Sequence, residues 1–285
     1  MAYLYLLLSS ICSLTIAHLL KVTESRNLRT LNTLTVNYLV AGVFALFVGY
    51  TGALSATLSS HITVLLIFCA VVGAFFIGNF VAYSKSVHAN GVGITIAAMR
   101  LSLLVPVVIS IYWYAEYLNA IKIIGIIGVF GAMILLIPKK NNIKIGSISA
   151  SWLLVGIFVL TGFADASLKI YEEEFSTNLN ELTFMGLVFT AAFVIGLVIS
   201  LFQKGKLITR QEAILGTAIG IPNLYSSIFL IYALGGISGS VAYPVVNILN
   251  VLGGTLLGLF IWDDTVTRKQ WAGIGAAIIA ITLLL

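Results

Sequence analysis

Charged residues are scarce in this sequence. Of its 285 residues only 9% are charged and 60% are hydrophobic, and its mean hydropathy is +1.10. A soluble domain has about a quarter of its residues charged, because its surface must stay hydrated. The composition therefore excludes an ordinary soluble protein. The net charge of +5 would suggest nucleic acid as the partner of a soluble chain, but here it indicates charged loops between membrane spans, and we expect no nucleic-acid partner.

Cysteines and cofactor motifs are also scarce. Cys12 and Cys69 both lie inside apolar blocks, so small buried hydrophobes are the better interpretation and a disulfide framework is not expected. The sequence shows no cluster of metal ligands, no phosphate-binding loop and no Ser–His pair on plausible helices. We therefore expect no cofactor, no metal and no enzymatic activity. Any transport must then draw on an ion or substrate gradient, because a nucleotide-binding domain is missing.

Long apolar blocks are abundant. Each has about twenty residues, enough to cross roughly 30 Å of hydrocarbon as a helix. A β-barrel is excluded because the blocks are continuously apolar rather than alternating. The first block has neither a basic leader nor a cleavage pattern, so we interpret it as a retained helix. The predicted spans cover residues 2–20, 31–50, 62–86, 92–114, 119–138, 151–171, 181–203, 212–234, 237–262 and 269–285.

A ten-residue segment at the start of the second span recurs at the start of the seventh. Residues 31–40 read LNTLTVNYLV, and residues 179–188, 148 positions later, read LNELTFMGLV. Six of the ten positions are identical, including an asparagine and a threonine, which match by chance less readily than leucines. The segments LKVTE at 20–24 and LKIYE at 168–172 keep the same offset and end the first and sixth spans. These matches indicate a duplicated five-helix unit.

The same offset extends into the last span of each half. Glu116 and Asp264 each end a span, and Gly125 and Gly273 follow them after nine residues. Small residues on the fifth and tenth spans permit close backbone contact, within one subunit or, as the alternative, in a dimer. A monomer or a weak homodimer is therefore expected.

We predict two domains, residues 1–140 and residues 149–285, each one five-helix repeat. The fold class is then an all-α integral membrane protein with ten transmembrane helices in two inverted repeats, because an odd number of spans inserts the second copy upside down. Secondary transporters use inverted repeats for alternating access, with a binding site at the midplane between the halves.

Basic residues predict the orientation. One set of loops, called the rich side, holds twelve of the lysines and arginines. The opposite set of loops holds only Lys122 and Lys169, and Arg100 lies within a span. The rich side should be cytoplasmic, which places both termini on the outer face of a multi-pass protein of the cytoplasmic (inner) membrane. The rich side holds Lys21, Arg26, Arg29, Lys85, Lys139, Lys140, Lys144, Lys204, Lys206, Arg210, Arg268 and Lys269.

In this organisation the chain resembles the drug/metabolite transporter superfamily, and in particular its ten-helix EamA-type members. The likeness covers essentially the whole chain. It rests on the 5+5 duplication, the lysines that end the first and sixth spans, and Pro106 followed by Glu116 and Gly125. The resemblance implies export or exchange of small metabolites, often amino acids, through a central cavity lined mainly by the first, third, fourth, sixth, eighth and ninth spans.

Two charged residues lie inside apolar spans. Arg100 lies near the predicted mid-bilayer, where a charge costs about 2.5–3.5 kcal/mol on insertion scales and needs a partner or a wet cavity. Its planar guanidinium suits a carboxylate or phosphate ligand. The alternative is a structural arginine that is hydrogen-bonded to carbonyls or to a buried acid. Asp165 in the sixth span could pair with Arg100 across the two halves and respond to substrate or a proton. Alternatively, it pairs with Lys169 one turn away.

Uncharged polar side chains complete the candidate site. Ser240, Tyr243, Asn247, Asn250 and Gly254 recur every three or four residues on the ninth span, which places them on one face toward protein or water. Helix–helix hydrogen bonding is the alternative to cavity lining. Pro222 can bend the eighth span. His18 and Ser13 in the first span are weaker candidates. The predicted substrate-binding residues are Arg100, Asp165, Asn79, Asn223, Tyr225, Tyr243, Asn247 and Asn250.

The function expected from these features is secondary active export or exchange of a small anionic or zwitterionic metabolite, such as an amino acid, by alternating access. The partners would be the small-molecule substrate and the lipid bilayer, with possible proton coupling through Asp165. Three alternatives stay open: efflux of cationic or lipophilic drugs recognised by Asp165, an intramembrane enzyme, and a membrane scaffold without transport.

Overall fold

The computed structural model describes residues 1–49, 62–136, 150–202, 208–263 and 265–284. These parts of the chain form helices and contain no strand. Asp264 and the predicted loop cations Lys139, Lys140 and Lys144 lie outside the described residues, as do Lys204 and Lys206. The helices are α1 (Ala2–Ser25), α2 (Thr30–Gly49), α3 (Ile62–Asn90), α4 (Val92–Leu101), α5 (Leu104–Tyr112), α6 (Ala120–Leu136), α7 (Ser151–Glu174), α8 (Glu181–Leu201), α9 (Arg210–Leu234), α10 (Gly239–Ile261) and α11 (Arg268–Leu284).

The prediction of an all-helical protein with membrane-length helices is confirmed. Within the described residues, eight stretches are long and apolar enough to cross a membrane, and α6 is a shorter apolar helix. Large aromatic side chains are exposed near helix ends, as is typical of proteins whose ends lie at a membrane–water interface. They include Tyr112, Trp113 and Tyr117 near the end of α5, and Trp152, Phe202 and Trp271 near the start of α7, the end of α8 and the start of α11.

The fourth predicted span is broken into two helices, α4 and α5, between Leu101 and Leu104. Pro106 lacks the N–H that would donate to the carbonyl of Ser102, and its ring crowds that carbonyl. The N–H of Val105 donates to the Ser102 carbonyl instead, at 2.9 Å, which tightens the turn. The Ser102 hydroxyl donates to the carbonyl of Met99 at 2.6 Å. The break lies immediately after Arg100.

The last helices of the two halves, α6 and α11, begin and end 148 residues apart and pack closely against each other. A Cβ added at Gly125 would lie 2.9 Å from Leu284 and 3.3 Å from Leu283. One added at Gly273 would lie 2.9 Å from Leu135 and from Leu136, which are the equivalent positions at the same offset. The start of each helix thus meets the end of the other, so α6 and α11 are antiparallel. At these positions the small residues serve packing within the chain.

The helices α2 and α8, which carry the repeated segment, also pack antiparallel. Gly49 at the end of α2 lies against Thr183 at the start of α8, and Gly196 late in α8 lies against Thr35 early in α2. Thr183 also donates a hydrogen bond to the carbonyl of Gly49 at 3.1 Å. Thr35 and Thr183 are the threonines shared by residues 31–40 and 179–188. The two copies of the segment therefore occupy corresponding places in their helices.

Other extensive helix–helix contacts also join helices from different halves. The first helix of each half packs on the third helix of the other, α1 on α9 and α7 on α3. The start of α1 and the ends of α7 and α9 lie at one end of the bundle, where Ala2 lies near Gly236 and Glu172 near Gly235. The end of α1 therefore lies at the opposite end. We call these the Lys169 end and the Lys21 end, after the lysine that each contains.

We predict that Gly216→Ala destabilises the protein. The added Cβ would lie 2.5 Å from the carbonyl oxygen of Thr33 and 2.6 Å from the Cβ of Val36, so α9 would have to move away from α2. Overpacking of this kind costs about 1–3 kcal/mol. The measurement is the unfolding free energy of the purified protein in detergent.

Gly131→Ala is the matched control. It lies within α6, and a Cβ there has nothing within 4 Å. Alanine also favours a helix over glycine. Stability should be kept or raised in this variant, and an equal loss in both variants would contradict the packing argument.

Candidate functional site

Arg100 at the end of α4 and Asn247 on α10 join the two halves at the centre of the candidate site. The Arg100 guanidinium donates one hydrogen bond, to the Oδ1 atom of Asn247 at 3.2 Å. The amide nitrogen of Asn247 donates back along its own helix, to the carbonyl of Tyr243 at 3.2 Å. The arginine is partly buried, and its partner is neutral. Its charge is therefore held in the apolar bundle by an amide dipole rather than by a carboxylate.

Asp165 on α7 is partly buried, and its charge interacts with that of Arg100 through space. Within the described ranges no ion pair joins these two residues, and none joins Asp165 to Lys169. The main-chain carbonyl of Asp165 accepts a hydrogen bond from the Tyr243 hydroxyl at 2.8 Å. Neither pairing considered for this carboxylate is formed, because Asn247 holds Arg100 and a separate acidic cluster holds Lys169.

Asn79 on α3 accepts a hydrogen bond from the Thr161 hydroxyl on α7 at 2.7 Å. Thr161 lies one turn before Asp165, so this contact continues the polar face of α7. Tyr83 lies one turn after Asn79 and is near enough to Arg100 for an electrostatic interaction. The helices α3 and α4 of the first half therefore face α7 and α10 of the second across a set of polar side chains.

The polar stripe on α10 divides into two parts. Ser240 and Tyr243 are buried against neighbouring helices. Asn247 and Asn250 are only partly buried, and the Oδ1 atom of Asn250 is buried with no hydrogen-bond partner among the described residues. Gly254 is exposed, and a Cβ there has open space. Among the described residues the Ser240 hydroxyl also has no hydrogen-bond partner, but it is fully buried against neighbouring helices, so the Asn250 oxygen is the better candidate for a ligand contact.

Two of the predicted site residues make their contacts elsewhere. Asn223 on α9 donates to the side-chain oxygen of Asn37 on α2 at 3.2 Å. Tyr225 packs against Phe44 on α2, with ring centroids 6.4 Å apart. Ser13, one of the weaker candidates, hydrogen-bonds Ser226 at 2.8 Å. These contacts belong to the interface of α1, α2 and α9, and the structure does not bring them to Arg100.

An ionic cluster surrounds Lys169 at one end of the bundle. The lysine is 3% exposed, and its Nζ lies 2.5 Å from Glu173, 3.3 Å from Glu172 and 3.4 Å from Glu116. The Glu116 carboxylate also accepts hydrogen bonds from the main-chain N–H groups of Gly239 at 2.7 Å and Ser240 at 2.9 Å. Glu116 thus joins the α5–α6 connection to the start of α10 and to the end of α7.

Tyr114 lies at the edge of this cluster. Its ring centroid is 5.8 Å from the Nζ of Lys169. Burial, together with the nearby carboxylates of Glu174 and Glu173, raises the pKa of the Tyr114 hydroxyl to about 12. The phenol therefore stays neutral at physiological pH and presents an uncharged ring to the lysine.

The other end of the bundle has a similar lysine–aromatic contact. Lys21 lies 4.5 Å from the ring centroid of Trp262, and the same ring lies 5.5 Å from that of His18. At the same end, the Arg29 side chain donates two hydrogen bonds to the Glu212 carboxylate, from Nε at 2.9 Å and from an Nη atom at 3.0 Å. That carboxylate hydrogen bond raises the pKa of the arginine. The pair joins the α1–α2 connection to the start of α9.

Sequence reasoning missed several of these residues. Thr161 was visible as a hydroxyl one turn before Asp165 on the same helix face. The Lys169 cluster was harder to find, since Glu116 lies 53 positions earlier in the chain and in the other half. Only the repeated offset marked both residues, and it indicated duplication rather than contact.

Comparison with known proteins identifies the fold without naming a function. No protein-family model matches the sequence. An uncharacterized protein of Haemophilus influenzae is 25% identical over 289 aligned positions, which cover 98% of this chain and 96% of that protein. A crystal structure of a protein with 12% sequence identity superposes with a TM-score of 0.78, covering 99% of this chain and 95% of the other. The chain thus shares its whole architecture with an experimentally determined structure.

Proposed function

We propose that the protein is a secondary active transporter that exports or exchanges a small anionic or zwitterionic metabolite by alternating access. We further infer that it belongs to the drug/metabolite transporter superfamily, with ten spans and both termini on the outer face of the cytoplasmic membrane. The observation that carries the proposal is Arg100, a cation inside an apolar helical bundle whose hydrogen-bond partner among the described residues is the neutral Asn247.

The guanidinium of Arg100 suits an anionic ligand. It carries five N–H donors in a planar fork, and in the described part of the chain one hydrogen bond, to Asn247, uses them. A carboxylate can accept two parallel hydrogen bonds from such a fork. In this proposal the Asp165 carboxylate and the unpartnered oxygen of Asn250, one turn after Asn247, would accept hydrogen bonds from the ammonium group of a zwitterion. The site thus offers complementary groups for an amino-acid-like molecule.

The arrangement of the helices supports an inverted repeat. The equivalent helices α6 and α11 are antiparallel, as are α2 and α8, and each first helix packs on the third helix of the other half. Antiparallel packing of equivalent helices is what two copies inserted with opposite orientation would produce. Arg100 comes from the first half and Asn247 from the second, so the site lies where the halves meet.

A cationic substrate is the second candidate. In the described ranges Asp165 has no ion-pair partner, and a carboxylate inside an apolar span can recognise a cationic drug. The closeness of the Arg100 charge opposes this function, since the arginine would repel such a ligand.

We predict that Arg100→Ala abolishes transport. The loss should be at least roughly a hundredfold, because two charge-assisted hydrogen bonds of about 1.5–3 kcal/mol each would be missing. Arg100→Lys should also retain little, because an ammonium cannot reproduce the bidentate fork. The measurement is uptake by proteoliposomes of a substrate chosen by a thermal-shift screen of metabolites.

Arg26→Ala removes an exposed arginine that follows α1, and it should transport normally. The expression of Arg100→Ala should be close to that of the unaltered protein, since removing a buried charge lowers the cost of insertion. Near-normal uptake by Arg100→Ala would rule out the proposed site.

We predict that Asp165→Asn flattens the pH dependence of transport. The substitution removes the titratable group and keeps the main-chain carbonyl that binds Tyr243. Proteoliposome uptake is compared across neutral and mildly acidic pH, with Asp165→Glu as the control that still titrates. An unchanged pH profile would discard proton coupling through Asp165. Loss of cationic-dye efflux with metabolite transport intact would favour the second candidate.

We predict that Asn27 faces the cytoplasm and Tyr117 the outside. Both are exposed, at opposite ends of the bundle, and the basic residues concentrate at the end with Asn27. In a variant with Cys12 and Cys69 replaced by alanine, an impermeant maleimide should label Tyr117→Cys on intact cells and leave Asn27→Cys unlabelled. Labelling of Asn27→Cys alone would reverse the orientation.

A further inference from the structure

A groove opens between helices of the two halves, and none of the residues that line it belongs to the Arg100 site. Its walls come from α3 of the first half and from α7 and α8 of the second, and its volume is about 270 Å³. The wall on α3 is a strip of side chains with helical spacing, which places them on one face of that helix. The strip consists of Ala74, Ile77, Gly78, Val81, Ala82 and Lys85.

The groove has the depth of one leaflet of a bilayer. At about 1.5 Å per residue, the strip from Ala74 to Lys85 is roughly 16 Å long, about half of a hydrocarbon core of ~30 Å. Asn90, the last residue of α3, exchanges hydrogen bonds of 3.0 and 3.1 Å with the main chain of Ala150, just before α7. The strip therefore begins near the middle of α3, and its Lys85 lies at the Lys21 end of the bundle.

The groove is apolar except at this end. Lys85 is exposed, and in the described part of the chain no carboxylate pairs with it. Trp152, which lines the groove from the first turn of α7, is 69% exposed. Tryptophan is enriched where a membrane meets water, and a lysine near a helix end extends its ammonium toward the same level. The groove thus suits a molecule with an anionic head and an apolar chain.

The shape of the groove indicates which apolar group fits. Spread over the length of the strip, 270 Å³ is a channel only a few ångströms across. Such a channel admits a single hydrocarbon chain, whereas an α-helix with its side chains is about 10 Å wide. An acyl chain is therefore a better occupant than a helix of a second copy of the protein.

We propose that this groove is a binding site for one anionic phospholipid. An acyl chain lies along the strip on α3, and the phosphate accepts a hydrogen bond from the Lys85 ammonium. Because the surrounding lipid tails are as apolar as the groove, the selection comes from the fit of the chain and from the charge of the headgroup. The site requires neither transport nor Arg100.

The bound lipid would contact both halves of the chain. Asn79, which follows Gly78 of the strip, accepts the hydrogen bond of Thr161 on α7 at 2.7 Å. A Cβ added at Gly78 would lie 3.8 Å from Leu160, which precedes Thr161. The groove thus adjoins a polar contact between α3 and α7, and a lipid bound there would favour the packed state of these helices by mass action.

The test uses tryptophan fluorescence, which bromine on a neighbouring acyl chain quenches. Replacing Trp113, Trp262 and Trp271 by phenylalanine leaves Trp152 as the single tryptophan. This variant is placed in phosphatidylcholine vesicles that contain brominated phosphatidylglycerol or, at the same mole fraction, brominated phosphatidylcholine. A second variant keeps only Trp271, which is 55% exposed at the same end on α11, a helix that packs mainly on α6 and α10.

At Trp152 the relative affinity should favour phosphatidylglycerol by about fivefold, the effect of one lysine at a membrane surface. Lys85→Gln should bring this ratio close to one and leave the quenching of Trp271 unchanged. Lys269→Gln is the matched control, since it removes an exposed lysine at the same end, and the ratio at Trp152 should stay as it was.

Gly78→Leu tests the acyl chain. A Cβ at this position makes only an ordinary contact, with Leu160, and leucine favours a helix over glycine, so the fold should be kept. The leucine fills the groove and should bring the ratio at Trp152 close to one although Lys85 is still present. Ala82→Leu, on the same strip, serves if that variant fails to fold. Gly131→Leu on α6, where a Cβ has open space, should leave the ratio unchanged.

Three results would overturn the proposal. An equal ratio in Lys85→Gln and the unaltered chain would exclude recognition of the headgroup by this lysine. A ratio unaffected by filling the groove would mean that the lysine attracts lipid without a groove. Weaker quenching of Trp152 than of Trp271 by both lipids would mean that a second copy of the chain covers the groove. No substrate is present, so these outcomes are independent of the proposed transport.

Discussion

The structure depends on close backbone contact between equivalent helices of the two halves. In lipid there is little hydrophobic drive between helices, so association relies on tight packing and on small residues that permit it. Gly42 lies against Thr190, which follows it 148 positions later, and a Cβ added at Gly42 would lie 3.1 Å from the Oγ1 atom of Thr190. Under the proposed inverted repeat, a position that touches its own equivalent would lie near the axis that relates the two halves. The α2–α8 contact would then lie on that axis, with the other helices arranged around it.

Two kinds of polar interface lie around the α2–α8 contact. Apart from the contacts of Glu212 at the start of α9, the polar contacts of α9 with α1 and α2 join neutral groups, such as the hydroxyls of Ser13 and Ser226 and the amides of Asn37 and Asn223. Such pairs satisfy each other and fix the position of α9. The contacts among α3, α4, α7 and α10 include two opposite charges that do not satisfy each other directly. Charged groups at such a depth are costly to keep, and this cost supports the second interface as the proposed ligand site.

The sequence predicted the helices better than the directions of their side chains. Hydrophobic length predicted the eight membrane-length stretches found among the described residues, although the fourth predicted span is broken into α4 and α5. The repeat offset of 148 also relates the bounds of α6 and α11. Proline was ambiguous, since Pro106 follows a break whereas Pro222 and Pro244 lie inside continuous helices. Whether a helix breaks at proline depends on what the neighbouring helices supply to the freed carbonyl, and that is a tertiary property.

The same dependence on neighbouring helices explains why some of the predicted polar site residues contact Arg100 and others do not. Arg100 and Asn247 were both predicted as site residues, and their side chains are joined by a hydrogen bond. Asn223 was an equally polar residue on an equally apolar helix, but it faces α2. Periodicity identifies a shared face and does not say which neighbour that face meets. That information resides in the crossing of helices from distant parts of the chain.

Glu116 neutralises two positive poles at once, the ammonium of Lys169 and the start of α10. Its carboxylate would keep the two main-chain N–H donors if the lysine withdrew, and a helix start carries about half a positive charge. The anion is therefore solvated by the protein itself whether or not the lysine stays beside it. Water need not enter to stabilise the carboxylate, so this end of the bundle can exclude solvent while it keeps a charged side chain inside.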